Sequence, residues 1–422
     1  MKVLLGLALP LLFFPFAACG DDDDSNPNNL PCPSGCAGAS GGAGASGASG
    51  AGAGGAGGAG GAGGVVGLPN VTRTVWASGL SNAWDIAFLP DGLGALISER
   101  PGRISLRDAA GVLRPVQGPD DVLARGEGGL MGMVVDPEFA ANRLVFTCFS
   151  HAGEPNDNRV VRWRLSDDNA RLEQRQDIIT GMPYSTGRHS GCRLLFANDG
   201  FLYVGAGDAA QGATPQNLQS LGGKVLRVTR DGEAAPGNPQ AEGKDPRIFT
   251  YGHRNVQGIA EQPGTGRVYT GEHGPDVDDE INVLVAGKNY GWAPGLPYGE
   301  GVPMTDLTRF PDAVSAVWSS GRPTTALAGI TFLDGTAWGD WNGALVGAEL
   351  KFARLRLLRV DDAGTASTQI TELCAEQRVR LRTAVMGPDG ALYVTTDAKP
   401  GGDEIWRLAP EGTATTAGAS CQ

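Results

Sequence analysis

From about Leu68 to Pro410 the chain keeps returning to one unit: an apolar strand, a turn of Asp-Gly type, and a second apolar strand. Clear copies read IAFLPDGLGALISE, LLFANDGFLYVGAGD, IAEQPGTGRVYTGE and VMGPDGALYVTTD, and weaker ones read MVVDPEFAANRLVFTCFS and ITFLDGTAWGDWNGALVGAE. Their turns fall near Asp91, Pro137, Asp199, Gly264, Asp334 and Asp389, about 45 to 70 residues apart. Asp-Gly supplies the backbone conformation of a tight hairpin, and little of the chain has helical periodicity. Six all-β units of this length predict a six-bladed β-propeller, which hides its sheet edges by radial closure. A sandwich or solenoid would repeat over a shorter length.

What precedes the repeats has a different character. One Lys and an apolar run, Val3 to Phe16, end in FAAC at Cys19. The run is too short to span a bilayer and reads as a secretory signal with a lipoprotein-type cleavage site. The expectation is a signal peptide over 1–18, a lipid on Cys19, and export to a bacterial membrane facing the periplasm or cell exterior. Residues 19–67 hold Asp21 to Asp24 and a Gly/Ala/Ser tract from about Ala37 to Gly64, with almost nothing to bury, and are expected to be a flexible tether. The propeller is expected over 68–412 and a tail over 413–422. A formal charge of −12 with no basic run argues against a nucleic-acid partner. In an exported protein the six cysteines besides Cys19 can pair; the expected pairs are Cys32–Cys36 and Cys374–Cys421, then Cys148–Cys192.

Three places carry chemistry. His189, in GRHSGCR, stands before a strand, an Asn-Asp-Gly turn and a second strand that ends on Asp208. Folding this stretch as a hairpin sets Asp208 opposite about Gly191, within a residue or two of His189. A carboxylate beside an imidazole fixes its tautomer and stabilises its charged form, the arrangement of a general base; a structural His–Asp hydrogen bond is the plainer alternative. The clear repeats also end on acids, Glu99, Asp208, Glu272 and Asp397, which equivalent blades would set around one mouth, as a ring or as caps on neighbouring strands. Next come YGHRNVQG, with Arg254 and Asn255, and EHGPDVDDEIN, whose Gly-Pro and acids can offer oxygens to a hard cation or simply be solvated. Last, Lys351, Arg380 and Arg382 gather positive charge in an acidic protein. Alternate strand residues share a face, so Arg380 and Arg382 point the same way, toward a multiply anionic ligand or toward rim acids.

Taken together, GLSNAWDIAFLPDG, GEGGLMGMVVDPEFAANR, HSGCRLLFANDG, NLQSLGGKVLRV, YGHRNVQG, EHGPDVDDEINVLVAGKNYGW and RVRLRTAVMGPDGALYVTTD resemble the soluble quinoprotein glucose/sorbosone dehydrogenase family, which includes the aldose sugar dehydrogenases. The resemblance covers Val71 to Ala409. It implies a six-bladed propeller that oxidises sugars with pyrroloquinoline quinone (PQQ) and Ca²⁺, and passes electrons to an external acceptor, since no CxxCH haem motif is present. His189 is then the base that takes the sugar hydroxyl proton as hydride leaves for the quinone, with Asp208 orienting it. Arg254 would stabilise the oxyanion that develops on the quinone, and Asn255 and Thr324 would contact the cofactor. Lys351, Arg380 and Arg382 would neutralise its carboxylates. The carbonyls of Gly274 and Pro275 would hold the Ca²⁺, and a structural Ca²⁺ would lie near Glu280 and Tyr290.

The substrate wall departs from the pattern. Glu127 stands where the glucose enzymes have a sugar-contacting Gln, and Ser319 and Arg322 stand where they carry aromatics. Rival readings are a non-enzymatic carbohydrate- or protein-binding propeller, and a Ca²⁺-dependent lactonase-like hydrolase. The first predicts loss of His189, Asp208 or the cations. The second needs carboxylates and Asn around an axial metal and no HRNxQG motif.

Overall fold

The computed structural model describes residues 69–413 apart from 399, together with Cys421. The signal peptide, Cys19, the tether and Cys32–Cys36 lie outside the described residues. Six four-stranded antiparallel sheets follow one another along the chain, as the repeats predict. Their first strands are Ala83–Leu89, Leu130–Val135, Gly191–Phe196, Val256–Glu261, Leu327–Phe332 and Leu381–Met386. These six strands contact one another in ring order, and the last touches the first. They therefore line the axis of a closed six-bladed propeller.

The Asp-Gly turns join the first strand of a blade to its second. In blades three and six the turn Asp also clamps the hairpin. Asp199 accepts from Tyr203, four residues on, at 2.9 Å and from Arg227 at 2.8 Å; Asp389 accepts from Tyr393 at 3.1 Å and from Arg407 at 2.7 Å. Gly200 and Gly390 sit at φ of 84° and 74°, a region costly for residues with a Cβ.

Between each pair of neighbouring blades lies one apolar cluster, six in all. Their members alternate along the strands, so each blade buries both faces. The ring is closed by Pro69–Leu80, which pairs antiparallel with Asp403–Thr413 as the fourth strand of blade six. Pairing the first and last described strands in one sheet closes the ring that would otherwise be left open.

Both cysteine pairs expected within the described region are present. Cys148–Cys192 ties the second strand of blade two to the first strand of blade three, and Cys374–Cys421 ties the end of blade five to the C-terminal tail. The first closes 44 residues of sequence, so replacing both cysteines by Ala is expected to lower unfolding free energy by at most about 4 kcal/mol. Urea unfolding with and without the pair measures it.

Candidate active site

Because first and second strands are antiparallel, the start of one and the end of the other lie at the same edge of the blade. Residues just before a first strand and just after a second strand therefore share one face of the propeller. Glu127, His189, Arg254, Asn255, Thr324 and Arg380 hold the first kind of position. Asp208, His273, Gly274, Lys351 and Asp397 hold the second. The opposite face is formed by the Asp-Gly turns and carries none of them.

At the centre His189 Nδ1 lies 2.8 Å from Asp208 Oδ1, with His189 only 2% exposed and Asp208 fully buried. The hairpin register differs by two at this point from the simple expectation: Gly191 pairs with Ala206, and a bulge follows between Gly191 and Arg193. That bulge and the backbone bond from Ala209 N to His189 O, 3.2 Å, bring the two side chains together. His189 sits at φ 50°, sparsely populated for a residue with a Cβ and typical of functional sites. Asp208 is fixed by four further donors or chain contacts. Ala210 N donates to Oδ1 at 2.7 Å, Trp292 Nε1 and the Tyr298 hydroxyl donate to Oδ2 at 2.7 and 3.1 Å, and Asp208 N donates to Arg254 O at 2.8 Å. A carboxylate this well bonded holds the proton on Nδ1 and leaves Nε2 as the proton acceptor.

Three other blades converge on this dyad. Glu127 Oε2 accepts from His189 N at 3.3 Å, Asn255 Nδ2 at 3.0 Å and Gln257 Nε2 at 3.4 Å, so it braces the dyad from the loop between blades one and two. Asn255 Oδ1 accepts from Gly191 N at 3.1 Å. Arg254 donates to His273 O at 2.8 Å, and its guanidinium packs 5.7 Å from the Trp292 ring. Burial works against the Arg254 cation, and Glu300, Tyr298 and Asp208 outweigh it and hold the group above its ordinary range. Arg382 is bonded to Asp397 Oδ2, through Nε at 2.8 Å and through Nη2, and reaches Gln257 Oε1 at 3.3 Å. The rim-acid alternative thus describes Arg382 as this structure has it. Asp397 is held down at about 2: burial raises it, and Arg382, Asn82 and Arg380 more than reverse this.

The rim acids cap neighbouring segments. Glu99 accepts from Ser81 N at 2.7 Å and pairs with Arg103, and Glu272 pairs with His253 at 2.7 Å. Only Asp208 has the dyad histidine as its partner. Lys351 lies on the same face and is exposed. Thr324 is buried and donates from its backbone to Asp276 O at 3.3 Å. Ser319 bonds Asp278 at 2.7 Å, and Arg322 is exposed.

Does this face fit a polyanionic cofactor and a cation? His273 answers the first part. Its imidazole is held well below its ordinary pKa, first by burial and then by Arg254, Arg382, His189 and Arg380, and its Nε2 is buried without a hydrogen-bond partner. Arg254, Arg382 and Arg380 thus lie near enough to act on this imidazole, and guanidinium groups are what a ligand bearing several carboxylates would pair with. For the cation, among the described residues neither Gly274 O nor Pro275 O accepts a hydrogen bond, which leaves their lone pairs for a hard ion. The loop is set by buried Asp279, which accepts from Gly274 N at 2.8 Å, Thr325 N at 2.6 Å and Leu327 N at 3.0 Å. Among the described residues no group of three His, Cys, Asp or Glu side chains is arranged to hold a metal. A cation here would rely on carbonyls and on oxygens that its ligand brings.

Glu280 and Tyr290 are less alike than expected. The Tyr290 hydroxyl donates to Val283 O at 2.6 Å and accepts from Val285 N at 2.9 Å, and its ring stacks on His253; only its carbonyl is left to give. Glu280 accepts from Thr305 Oγ1 at 3.0 Å and Asn282 Nδ2 at 3.2 Å, and Asn282 Oδ1 has no partner. Burial and then the charge of Glu272 push Glu280 up to about 8, from 4.5 in a free chain. Between those values the folded protein keeps a proton that the unfolded chain has released, so stability falls as pH rises through that window. In chelator-treated protein this group is expected to cost on the order of 2 kcal/mol between pH 5.5 and 8. Urea midpoints at the two pH values check it, and Glu280→Gln should flatten the difference.

Two central residues escaped the sequence reading: Tyr298 and Glu300. They lie on the long connection between Glu280–Val283 and Trp318–Ser319 of blade four, which has neither repeat nor periodicity. An aromatic and an acid between Gly and Pro residues in a long loop were the available signal.

The family model described as Glucose / Sorbosone dehydrogenase matches residues 80–407. The aldose sugar dehydrogenase YliI of Escherichia coli (strain K12) is 34% identical over 349 residues, covering 78% of this chain and 91% of the relative. The crystal structure of the soluble aldose sugar dehydrogenase from Escherichia coli in the apo-form superposes with a TM-score of 0.74 at 33% identity, over 81% of this chain and 100% of that one. The PQQ-bound aldose sugar dehydrogenase from Streptomyces coelicolor gives 0.66 at 31% identity, over 82% of this chain and 100% of that one. With the family pattern running from the first blade to the last and its relatives matched over nearly their whole length, the chain belongs to the glucose/sorbosone dehydrogenase family.

Proposed function

We propose that this chain oxidises aldose sugars with PQQ and Ca²⁺, His189 acting as the general base. The observation that carries this reading is the His189–Asp208 contact of 2.8 Å on the propeller face where Arg254, Arg380 and Arg382 converge. The PQQ-bound relative supports the choice of cofactor. Bound on this face, PQQ supplies a two-electron acceptor and Ca²⁺ a Lewis acid that polarises it.

The protein's own residues then have these tasks. Asp208 keeps the Nδ1 proton in place, so that Nε2 receives the proton of the sugar hydroxyl, and its charge stabilises the imidazolium that results. Arg254 places a fixed positive charge beside the dyad, where negative charge develops. Arg380, Lys351 and Arg382, the last already shared with Asp397, would hold the cofactor carboxylates; Asn255 and Thr324 would border it, and Gly274 O and Pro275 O would hold the cation. Glu127 positions His189 and Asn255 from the far side. Glu280, with the partnerless Asn282 Oδ1 beside it, offers a second, structural Ca²⁺ site, whose filling would remove the stability loss at pH 8. The N-terminal sequence supports export and a lipid anchor at Cys19, from which the enzyme would meet soluble sugar and an external electron acceptor.

The test is reconstitution of the purified chain with PQQ and Ca²⁺, then dye reduction across a panel of aldoses. Cofactor-dependent turnover of at least one aldose is expected. Tight quinone binding without turnover of any sugar would favour the non-enzymatic binding propeller instead.

A further inference from the structure

One carboxylate near the dyad has no part in the chemistry above. Glu300 sits on the 294–302 segment of the long blade-four connection, and its Oε1 lies 3.7 Å from His189 Nε2, the nitrogen left free to take a proton. The same carboxylate bonds Arg254, through Nε at 3.2 Å and through Nη2, and pairs with Arg188 Nη2 at 3.0 Å. Tyr298 braces it: its hydroxyl is 3.2 Å from Glu300 Oε1, 3.1 Å from Asp208 Oδ2 and 3.2 Å from His189 Nδ1. Burial raises the Glu300 carboxyl, yet Arg254, His189 and Arg188 override it and hold the group at about 2, so it is anionic at any working pH.

We propose that Glu300 selects the substrate by charge: it accepts a hydrogen bond from a sugar hydroxyl next to the one at His189 Nε2, and it excludes sugars that carry a carboxylate. This rests on the reading of the site as a sugar dehydrogenase. A hydroxyl bound to His189 Nε2 lies beside Glu300 whatever the sugar's orientation, because the two acceptor atoms are 3.7 Å apart. A neutral polyol meets there a second acceptor for its many donors. A uronic acid meets a fixed negative charge in a half-buried setting, where like charges cost far more than in water. Glu300 also offsets part of the positive charge of Arg188 and Arg254, which alone would make this wall attractive to anionic sugars. Selectivity here thus comes from repulsion as well as attraction.

The experiment compares wild type, Glu300→Gln and the double variant Glu300→Gln/Arg188→Gln on glucose and glucuronate, in two formats. With PQQ and Ca²⁺, kcat and KM are measured by dye reduction; without cofactor, calorimetric titration of the full chain reads sugar binding alone. Glu300→Gln is isosteric and lies on a surface segment, so the fold is kept. We expect the kcat/KM preference for glucose over glucuronate to shrink by about tenfold or more in Glu300→Gln, chiefly through a lower glucuronate KM. Removing Arg188 as well should take back much of that gain. An unchanged preference in Glu300→Gln overturns the inference while leaving the dehydrogenase reading intact. If wild type oxidises neither sugar, the aldose panel judges the dehydrogenase reading separately, and the titration decides the inference: tighter glucuronate binding by Glu300→Gln sustains the charge filter, and equal affinity overturns it.

Discussion

Replacing His189 by alanine is expected to lower kcat for aldose oxidation by about 10² to 10⁴-fold, the usual range for loss of a general base, while PQQ binding survives. The two effects separate because His189 and the cations proposed to hold the cofactor occupy different blades. His189 precedes the first strand of blade three, whereas Lys351, Arg380 and Arg382 belong to blades five and six. Removing the imidazole takes away the Nε2 acceptor but leaves Arg254 on His273 O and Arg382 on Asp397. Asp208→Asn should also fall steeply. Its Oδ2 would keep the bonds from Trp292 and Tyr298, but an amide facing Nδ1 no longer enforces the tautomer or stabilises the imidazolium. Arg380→Ala should show the opposite pattern, with weaker PQQ uptake and normal turnover once loaded. Steady-state dye reduction and absorbance titration with PQQ measure both quantities. Loss of PQQ binding in His189→Ala with retained turnover in the loaded fraction would reverse these assignments.

The second large effect concerns the axis itself. Arg193, in the first strand of blade three, is 5% exposed. It pairs with Asp85 of blade one at 2.8 Å, donates to Gln257 O of blade four at 2.8 Å and to Thr383 Oγ1 of blade six at 2.7 Å. Its guanidinium lies 4.1 Å from the centre of the Trp84 ring, and Asp85 in turn accepts from Met133 N of blade two at 3.1 Å. One side chain thus connects four blades directly and a fifth through its partner. Arg193→Met is expected to cost about 3–5 kcal/mol, because it strands the Asp85 carboxylate in the interior. Asp85→Asn in the same chain should recover part of that loss by removing the orphaned charge. Equilibrium urea unfolding of the three variants measures it; a loss of under 1 kcal/mol in Arg193→Met would mean that the axis is held chiefly by the interblade apolar clusters.

Much of this was legible in the chain because the signals are local. Four of the six turns are Asp-Gly and reported their hairpins directly, the other two being variants of the same unit, and the His189–Asp208 contact followed from a hairpin register that a one-residue bulge altered only slightly. The two disulfides in the described region are those the cysteine positions led one to expect. What escaped was set by distant partners. The strand Pro69–Leu80 closes blade six by pairing with Asp403–Thr413, from the other end of the chain, and no pattern in PNVTRTVWASGL names that partner. Strand alternation set Arg382 on the side of Arg380 and left a polyanionic ligand and a rim acid both open; the partner that the structure gives it, Asp397, comes from the neighbouring strand. Glu127 was read as a departure in the sugar wall, and the contacts of its Oε2 with His189 N, Asn255 and Gln257 depend on other blades. Tyr298 and Glu300 sit on an irregular connection whose path depends on the blades it crosses, and sequence periodicity says nothing about such a path.

The most direct measurement of the central claim is a single turnover without any electron acceptor. The chain loaded with PQQ and Ca²⁺ is mixed with excess aldose in a stopped-flow spectrometer, and the absorbance of the bound quinone is followed. Conversion of one quinone per chain to its reduced spectrum, fast in wild type and slowed at least a hundredfold in His189→Ala, is the predicted result. A bound quinone whose spectrum no aldose changes, or one that His189→Ala reduces as fast as wild type, would contradict it.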